Sequence, residues 1–377
     1  MTYNADSKMF GSSKARLDSQ LEAMISSGAS DLHLGAGRPT MVRVDGGLKF
    51  LADSPWTVED VMGALREITS PEKWKKFEED LELDFSYTTP GGVRFRTNLY
   101  YQQGLPGAAF RFIAAEIKSL SDLGLEAELG AFAKISRGLI LVTGPSGSGK
   151  STTLAAILNE INQSRADHIM TIEDPIEFLH RSKKALINQR EVGTDTSSFG
   201  SALRHLLRQD PDVILIGEMR DFETVSAALT AAETGHLVLA TLHTRSAAQT
   251  IDRIIDVFPP HQQSQIKTQL ASALQAILCQ MLVPRIEGVG RVVATEVLTM
   301  TTGISNMIRE GKTFQIPSTI QAGREFGMHT MDQSLAGLVR AQKISVQVAE
   351  ELAHDKGSLD QLIQSRHGVS SGFKGGV

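Results

Sequence analysis

The nonapeptide GPSGSGKST, Gly144 to Thr152, fits the phosphate-binding pattern G-x-x-x-x-G-K-[ST], which connects a strand to a helix. It follows the apolar run Leu139 to Thr143, which is typical of a buried strand, and it precedes a helical stretch from Thr152 to Ile161. Glycines in such a loop let backbone N–H groups converge on phosphate oxygens at a helix N-terminus. The pattern predicts a nucleotide-binding loop formed by Gly144, Ser146, Gly147, Ser148, Gly149, Lys150, Ser151 and Thr152.

Two side chains of this loop carry the expected chemistry. The Lys150 ammonium neutralises charge on the β- and γ-phosphates, and the Ser151 hydroxyl is an oxygen ligand that suits Mg²⁺. Helical stretches separate further short apolar runs, as in a parallel sheet covered by helices on both faces. The sequence therefore predicts an α/β fold that binds ATP and Mg²⁺, with strands at Gly138 to Thr143, Ile169 to Ile172, Val213 to Ile216 and Leu237 to Thr241.

Carboxylates follow two of these predicted strands at their C-terminal ends. HIMTIEDPIEF, His168 to Phe178, holds Glu173, Asp174 and Glu177 within five positions, and Glu218 follows the strand of RQDPDVILIGEMRD. Ligands of open parallel sheets bind at this edge, where a carboxylate can bind Mg²⁺ or polarise water. A solvated acidic loop remains the alternative for the first cluster. For Glu218 the catalytic and metal-binding interpretation is favoured, although Asp is the usual residue at this position in P-loop enzymes.

Histidines and arginines form two further candidate groups, each with two interpretations. His236 and His243 bracket the predicted strand of TGHLVLATLHT, either as strand-end residues with satisfied hydrogen bonds or as part of a network that senses the γ-phosphate. Arg94 and Arg96 lie two residues apart in GVRFRTN and share a strand face, and Arg111 lies in the following strand. Such arginines are either solvated or positioned to reach the nucleotide of a neighbouring subunit.

Patterning along the chain predicts several parts. Short alternating strands and turns at the start indicate a mixed α+β domain, and the alternation of strands with helices begins only after it. Gln263 to Val283 is predicted as one long amphipathic helix. We predict a flexible arm at 1–14, an N-terminal α+β domain at 15–113, a linker at 114–124, an ATPase domain with additional C-terminal helices at 125–355, and a flexible tail at 356–377.

Composition excludes several classes of protein. The single cysteine, Cys279, cannot build an internal disulfide framework. No apolar run reaches the roughly 18 to 20 residues that span a bilayer, and no signal-peptide pattern is present, so we expect a cytoplasmic location. Lys and Arg number 38 against 43 Asp and Glu, and the resulting net charge of −5 argues against a nucleic-acid coat protein.

The four motifs GPSGSGKST, TIEDPIEF, RQDPDVILIGEMRD and TGHLVLATLHT, in this order, resemble those of secretion-superfamily ATPases, and most closely those of type IV pilus retraction ATPases of the PilT type. The resemblance implies a PAS-like N-terminal domain, a RecA-like ATPase domain and a homohexameric ring. It also implies ATP hydrolysis that drives pilus retraction, by pilin depolymerisation, and twitching motility. The expected location is the cytoplasmic face of the inner membrane, with an inner-membrane pilus platform protein as partner and no direct contact to nucleic acid.

The resemblance also implies roles for individual residues. It assigns ATP and Mg²⁺ binding to Lys150 and Ser151, catalytic carboxylates to Glu177 and Glu218, supporting roles to His236 and His243, and approach to the nucleotide to Arg94, Arg96 and Arg111.

One stretch departs from the family. The helix that reads AIRNLIRE in retraction ATPases reads GISNMIRE here, with Gly303 and Ser305 in place of Ala and Arg. Because this stretch lies far along the chain from the nucleotide motifs, we expect Gly303→Ala and Ser305→Arg to leave ATP hydrolysis intact.

Three other functions are compatible with a P-loop. A pilus-extension or type II secretion ATPase resembles this chain in the motor domain but typically carries a four-cysteine metal motif, which one cysteine cannot supply. A DNA-translocating motor would need a basic channel, against which the net charge of −5 argues. A scaffold that binds nucleotide without hydrolysis is disfavoured because the acidic catalytic positions are occupied.

Overall fold

The computed structural model describes residues 13–44, 46–113, 117–125, 129–288 and 290–364 of the 377. These residues form two compact units. The first comprises the described residues before 117 together with the segment Pro175–Leu179, and the second comprises the others. The flexible arm predicted at 1–14 ends too late, because Ser13 and Lys14 already belong to the first helix. Residues 1–12 and part of the predicted linker, 114–116, lie outside the described residues.

The first unit is an antiparallel sheet with three helices. Its elements are α1 Ser13–Ser26, β1 Asp31–Gly35, β2 Met41–Val44, β3 Gly47–Phe50, α2 Val58–Glu67, α3 Pro71–Asp80, β4 Glu82–Thr88, β5 Arg94–Gln102 and β6 Leu105–Ile113. The strand order is β3-β2-β1-β6-β5-β4. Buried residues alternate with more exposed ones along β4 and much of β5, so one sheet face supplies a core. The largest fully buried side chains of that core are Trp56, Phe77, Phe95 and Phe110.

The second unit contains a longer run of strands and helices. Its elements are β7 Gly138–Thr143, α4 Lys150–Ser164, β8 His168–Glu173, β9 Leu186–Glu191, α5 Phe199–Leu206, β10 Val213–Ile216, α6 Phe222–Glu233, β11 Leu237–Leu242, α7 Ala247–Asp256, α8 Pro260–Ala273, β12 Leu274–Pro284, β13 Arg291–Thr299, α9 Thr302–Glu310, α10 Ile316–Ala322, α11 Met331–Arg340, α12 Val346–Leu352 and α13 Lys356–Gln364. The strand order is β13-β12-β7-β11-β10-β8-β9, and every neighbouring pair is parallel except β12 with β13.

The central strands of this sheet are apolar along their whole length because both faces are covered. Every residue of β7 and β11 is buried. Leu139 and Leu141 of β7 pack into one hydrophobic cluster, whereas Ile140 and Val142, which alternate with them, pack into another. Strands of this kind are typical of parallel sheets between two helical layers. The predicted α/β fold class is confirmed.

Two predictions of secondary structure are wrong. The long helix predicted over 263–283 ends at Ala273, and the chain continues as β12, whose backbone pairs with β7 on one side and β13 on the other. The run LQAILCQMLV is apolar enough for either element, and its place inside the sheet decides for the strand. The flexible tail predicted from 356 begins too early, because Lys356–Gln364 is helical and Leu359 is fully buried. Residues 365–377 lie outside the described residues.

The two substitutions that would restore the family pattern in α9 fall at positions with different surroundings. Ser305 is buried, and its hydroxyl donates a hydrogen bond to the carbonyl oxygen of Ala271 on α8 at 3.0 Å. Gly303 is exposed, and a Cβ there would lie 3.8 Å from the Thr301 hydroxyl oxygen, an ordinary contact. A large side chain can therefore be accommodated at position 303 far more easily than at 305.

We predict that Ser305→Arg lowers the free energy of unfolding by about 2 kcal/mol, because a longer charged side chain enters a packed helix contact. Gly303→Ala serves as the matched control and should be neutral or stabilising, since alanine favours helix more than glycine does. Melting temperatures of the purified variants test this expectation. Equal melting temperatures for Ser305→Arg and the parent protein would contradict the packing described for α8 and α9.

Candidate active site

The phosphate-binding loop connects the end of β7 to the start of α4. Gly144 has a φ of 143°, and a Cβ there would lie 2.2 Å from the backbone oxygen of Gln280 on β12. Gly149, with a φ of 89°, caps the N-terminus of α4 in the left-handed region that favours glycine. Both positions therefore require glycine, the first because β12 is so close and the second because of its backbone conformation.

Lys150 is the first residue of α4 and is only 8% exposed. Its Nζ donates hydrogen bonds to the carbonyl oxygens of Gly144, at 2.9 Å, and Pro145, at 3.1 Å. Ser151 and Thr152 follow in the first turn of the helix, where backbone N–H groups have no partner within the helix. The loop residues predicted to bind nucleotide thus lie together with a buried lysine at a helix N-terminus, an arrangement suited to phosphate. Their individual roles stay predictions.

The parallel register brings Glu218 to the same edge of the sheet, immediately beyond β10. The N–H of Gly217 donates to the carbonyl oxygen of Ile172 on β8 at 2.8 Å. The N–H of Met219 donates to the carbonyl oxygen of Thr241 on β11 at 3.1 Å. The backbone on either side of Glu218 is therefore tied to both neighbouring strands, so the carboxylate projects from a fixed position.

Two basic side chains hold the Glu218 carboxylate. His243, directly after β11, places Nε2 3.0 Å from Glu218 Oε1. Arg220 contacts both carboxylate oxygens, with Nε 2.5 Å from Oε1 and Nη2 2.6 Å from Oε2. This two-pronged contact fixes the carboxylate plane as well as its position. Sequence reasoning predicted His243 here but missed Arg220, whose signal is its spacing of two residues from Glu218 just beyond a strand.

The same contacts settle the charge of Glu218. Partial burial acts to raise the pKa of this carboxyl, but hydrogen bonds and charge from Arg220 and His243 outweigh burial and hold its pKa below the ordinary value of 4.5. Hydrogen bonding to Glu218 raises the pKa of Arg220 further above its usual range. Glu218 is therefore a carboxylate at neutral pH, and it loses the contribution of these contacts only as the pH falls through its lowered pKa.

Within the chain, His236 does not lie with His243 and Glu218, so the structure does not bring the two predicted histidines together. His236 precedes β11, whereas His243 follows it, and the six residues between them span roughly 20 Å. The His236 ring contacts the carbonyl oxygen of Ala231 at 3.0 Å and the hydroxyl of Thr234 at 3.2 Å. Within the chain, the His236 ring therefore contacts the turn between α6 and β11, and the supporting role predicted for it stays a prediction.

The carboxylates of the TIEDPIEF motif have separate surroundings. Glu173, at the end of β8, accepts hydrogen bonds from the Thr171 hydroxyl at 2.6 Å and from Gln189 Nε2 at 3.1 Å, so its side chain is held within the sheet edge. Glu177 belongs to the segment Pro175–Leu179, which groups with the first compact unit. The catalytic role of Glu177 stays a prediction.

The predicted arginine face exists in the first unit. Arg96 on β5 stands directly opposite Arg111 on β6 in the strand register. Arg111 Nε lies 2.8 Å from Asp31 Oδ1, and Nη2 of Arg94 donates to the Ser86 hydroxyl at 2.7 Å. Within the described ranges, no carboxylate pairs with Arg96, whose side chain is exposed. Two like charges opposite each other are unfavourable in a sheet, so this face is suited to an anion.

Together, the loop and the Glu218 edge combine an anion-binding helix N-terminus with a charged carboxylate two strands away. That combination serves the hydrolysis of a nucleoside triphosphate, and the chain is a P-loop ATPase. It belongs to the type II/IV secretion system protein family, whose sequence pattern matches residues 11–373.

Relatives with curated names are similar over almost their whole length. The type IV pilus retractation ATPase PilT of Pseudomonas aeruginosa is 50% identical over 326 residues, which cover 86% of this chain and 94% of that protein. A twitching motility protein of Neisseria gonorrhoeae is 46% identical over 319 residues, 85% of each chain. A crystal structure of the pilus retraction motor PilT with bound ADP has a TM-score of 0.85 and 46% identity, covering 92% of this chain and 99% of that one.

We predict that Glu218→Gln binds ATP with near-normal affinity but hydrolyses it about a hundredfold more slowly or worse, because the shape is kept while the charge that polarises water is lost. Fluorescent-nucleotide titration and phosphate-release assays measure the two quantities. Glu79→Gln, on the exposed surface of α3, is the matched control and should change neither. Loss of ATP binding in Glu218→Gln would instead make Glu218 mainly a metal-binding or folding residue.

Proposed function

We propose that the chain is a hexameric ATP-hydrolysing motor that powers retraction of type IV pili by pilin depolymerisation, and so twitching motility. The observation that carries the proposal is the near-full-length similarity to retraction ATPases, which extends through both compact units and not only through the nucleotide motifs. The ATPase edge built around Lys150 and Glu218 supplies the chemistry that such a motor needs.

ATP is the substrate of this site, and Mg²⁺ fits the donors beside it. The loop presents backbone N–H groups at the N-terminus of α4, and Lys150 supplies the charge that opposes the phosphates. The Ser151 hydroxyl and the Glu218 carboxylate are oxygen donors of the kind that Mg²⁺ prefers, alongside phosphate oxygens. When bound, Mg²⁺ neutralises charge on the phosphates.

The remaining chemistry falls to side chains of this chain. Glu218 polarises the attacking water, and Arg220 and His243 keep it charged and correctly oriented before any nucleotide arrives. We assign a second carboxylate role to Glu177, on the strength of its place in the TIEDPIEF motif. The backbone bonds from Gly217 and Met219 keep Glu218 in register with the loop after β7, so water and phosphate meet at one edge.

A ring of six chains would give the arginine face its ligand. Arg94, Arg96 and Arg111 belong to the first unit and share one sheet face, while the phosphate-binding loop belongs to the second. Arg96, opposite Arg111 and without a carboxylate partner in the described part of the chain, is the member best suited to bind a phosphate from a neighbouring chain. Arginine supplied in this way stabilises transition-state charge.

Mixed rings test whether the arginines act across subunits. A chain with Arg94→Ala and Arg96→Ala should lose about a thousandfold in turnover, and so should a chain with Lys150→Ala. Mixing the two should restore part of the activity, because some sites then combine an intact loop with intact arginines from the neighbour. If mixtures show only the sum of the two inactive parents, although subunit exchange is verified, the arginines do not act across subunits.

The two remaining motor functions are disfavoured by observations on the chain. The only cysteine, Cys279, is buried in β12 and cannot form the four-cysteine motif typical of extension and type II secretion ATPases. The net charge of −5 argues against a DNA-translocating motor.

We place the motor at the cytoplasmic face of the inner membrane, bound through an inner-membrane pilus platform protein. In the described part of the chain, no helix is long and apolar enough to cross a membrane.

Deletion of the gene tests the direction of work. Cells without a retraction motor should carry as many surface pili as the parent or more, yet lose surface motility, because assembly continues while depolymerisation stops. Pilus counts by electron microscopy and surface-motility zones measure both effects, and expression of the intact chain from a second locus is the control. Bald cells would show an extension motor and would overturn the retraction proposal while leaving the ATPase assignment in place.

A further inference from the structure

Gln280 of β12 reaches the phosphate-binding loop from outside all four nucleotide motifs. Because Cys279 pairs with Thr143 in the parallel register of β12 and β7, Gln280 lies beside Gly144, where the loop begins. Its side chain is buried, at 2% exposed, and its Nε2 donates a hydrogen bond to the carbonyl oxygen of Ser148 at 2.7 Å. The backbone oxygen of Gln280 faces the Gly144 Cα so closely that only glycine fits there.

The contact with Ser148 fixes the orientation of one peptide group in the loop. In a planar trans peptide the C=O and the following N–H point in opposite directions. Since Gln280 holds the Ser148 carbonyl toward β12, the N–H of Gly149 must point away from β12. Gly149 is the N-cap of α4, so this N–H belongs to the set of helix-terminal donors that bind anions.

The buried polar atoms at this contact are incompletely satisfied. Gln280 Oε1 and Ser148 Oγ are both buried, and neither has a hydrogen-bond partner among the described residues. Buried polar atoms without partners are unfavourable, and native proteins tolerate few of them, often at functional sites. An apolar side chain of similar size would avoid the cost at position 280. The presence of an amide at position 280 is therefore better explained by the hydrogen bond from its Nε2 to the loop than by packing.

We propose that Gln280 is a positioning residue for nucleotide binding, which holds the Ser148 carbonyl toward β12 and so aims the Gly149 N–H at the phosphates of ATP or ADP. The proposal rests on the ATPase activity within the proposed function and is independent of pilus retraction. Its chemistry requires a neutral donor. A carboxylate at the same place would repel the Ser148 carbonyl, and a methionine would fill the space without donating.

Gln280→Met is the first test, on the purified full-length chain with MgATP. Removing the donor should raise the KM for ATP and the Kd for ADP about tenfold. This is the size of effect expected when the contribution of one hydrogen bond to binding is lost. The kcat should stay within about threefold, because the N–H contacts the phosphates before and during reaction alike. Gln275→Met is the matched control, since Gln275 lies on the same strand at the end away from the loop, beside Gly138. It should leave KM and Kd unchanged.

Gln280→Glu provides a second test, which can still be carried out if the methionine variant folds poorly. The introduced carboxyl cannot donate when ionised, but it becomes a donor when protonated, and burial favours the protonated form. The ratio of this variant's KM to the parent's KM, measured at the same pH, should therefore fall as the pH is lowered from 8 to 6. A purely structural role would reduce the active fraction at every pH and leave this ratio flat.

The outcomes separate this inference from the function on which it rests. Raised KM in Gln280→Met, together with the pH-dependent recovery in Gln280→Glu, supports positioning by Gln280. An unchanged KM in Gln280→Met, or a flat KM ratio in Gln280→Glu, overturns it while the parent still hydrolyses ATP. A parent chain that neither binds nor hydrolyses ATP would instead remove the proposed function, and this inference with it.

Discussion

The parallel alignment of β7, β11, β10 and β8 is the constraint on which the rest of the second unit depends. It brings the ends of four strands to one edge, so a loop after β7, a carboxylate after β10 and a histidine after β11 become neighbours although they lie far apart in sequence. Strands that are apolar on both faces stabilise that alignment by burial, and helices must then cover both sides. The polar residues that perform chemistry lie beyond the strand ends, because residues there are not buried between the two helical layers.

β12 connects this edge to the C-terminal helices. One end of the strand contacts the phosphate-binding loop through Gln280, and Val283, three residues later, belongs to the hydrophobic cluster that includes Leu335 of α11 and Leu359 of α13. A short stretch of one strand therefore contributes both to the nucleotide site and to the packing of the chain's last helices. The phosphate-binding loop and the last helices therefore both pack against neighbouring residues of β12.

The sequence predicted the positions of residues well where local spacing determines them, and poorly where distant partners do. Lys150 was located from the G-x-x-x-x-G-K-[ST] pattern and Glu218 from the apolar strand that it follows, and the structure places each beyond the C-terminal end of its strand. His236 and His243 belong to one sequence motif, but β11 lies between them, so the structure places them at opposite ends of that strand. β12 was mistaken for helix because an apolar run lacks a distinguishing period once both faces are buried. The contact of Gln280 with Ser148 spans 132 positions, and no local pattern could have revealed it.

We propose that hydrolysis at the Glu218 edge drives pilus shortening, which time-lapse imaging of fluorescently labelled pili measures in living cells. The cells would carry Glu218→Gln as their only copy of the chain, with Glu79→Gln in a parallel strain as the control. We expect pili that extend normally but rarely shorten in the first strain, and shortening at the parental rate in the second. Shortening at the parental speed and frequency in cells with Glu218→Gln would contradict it.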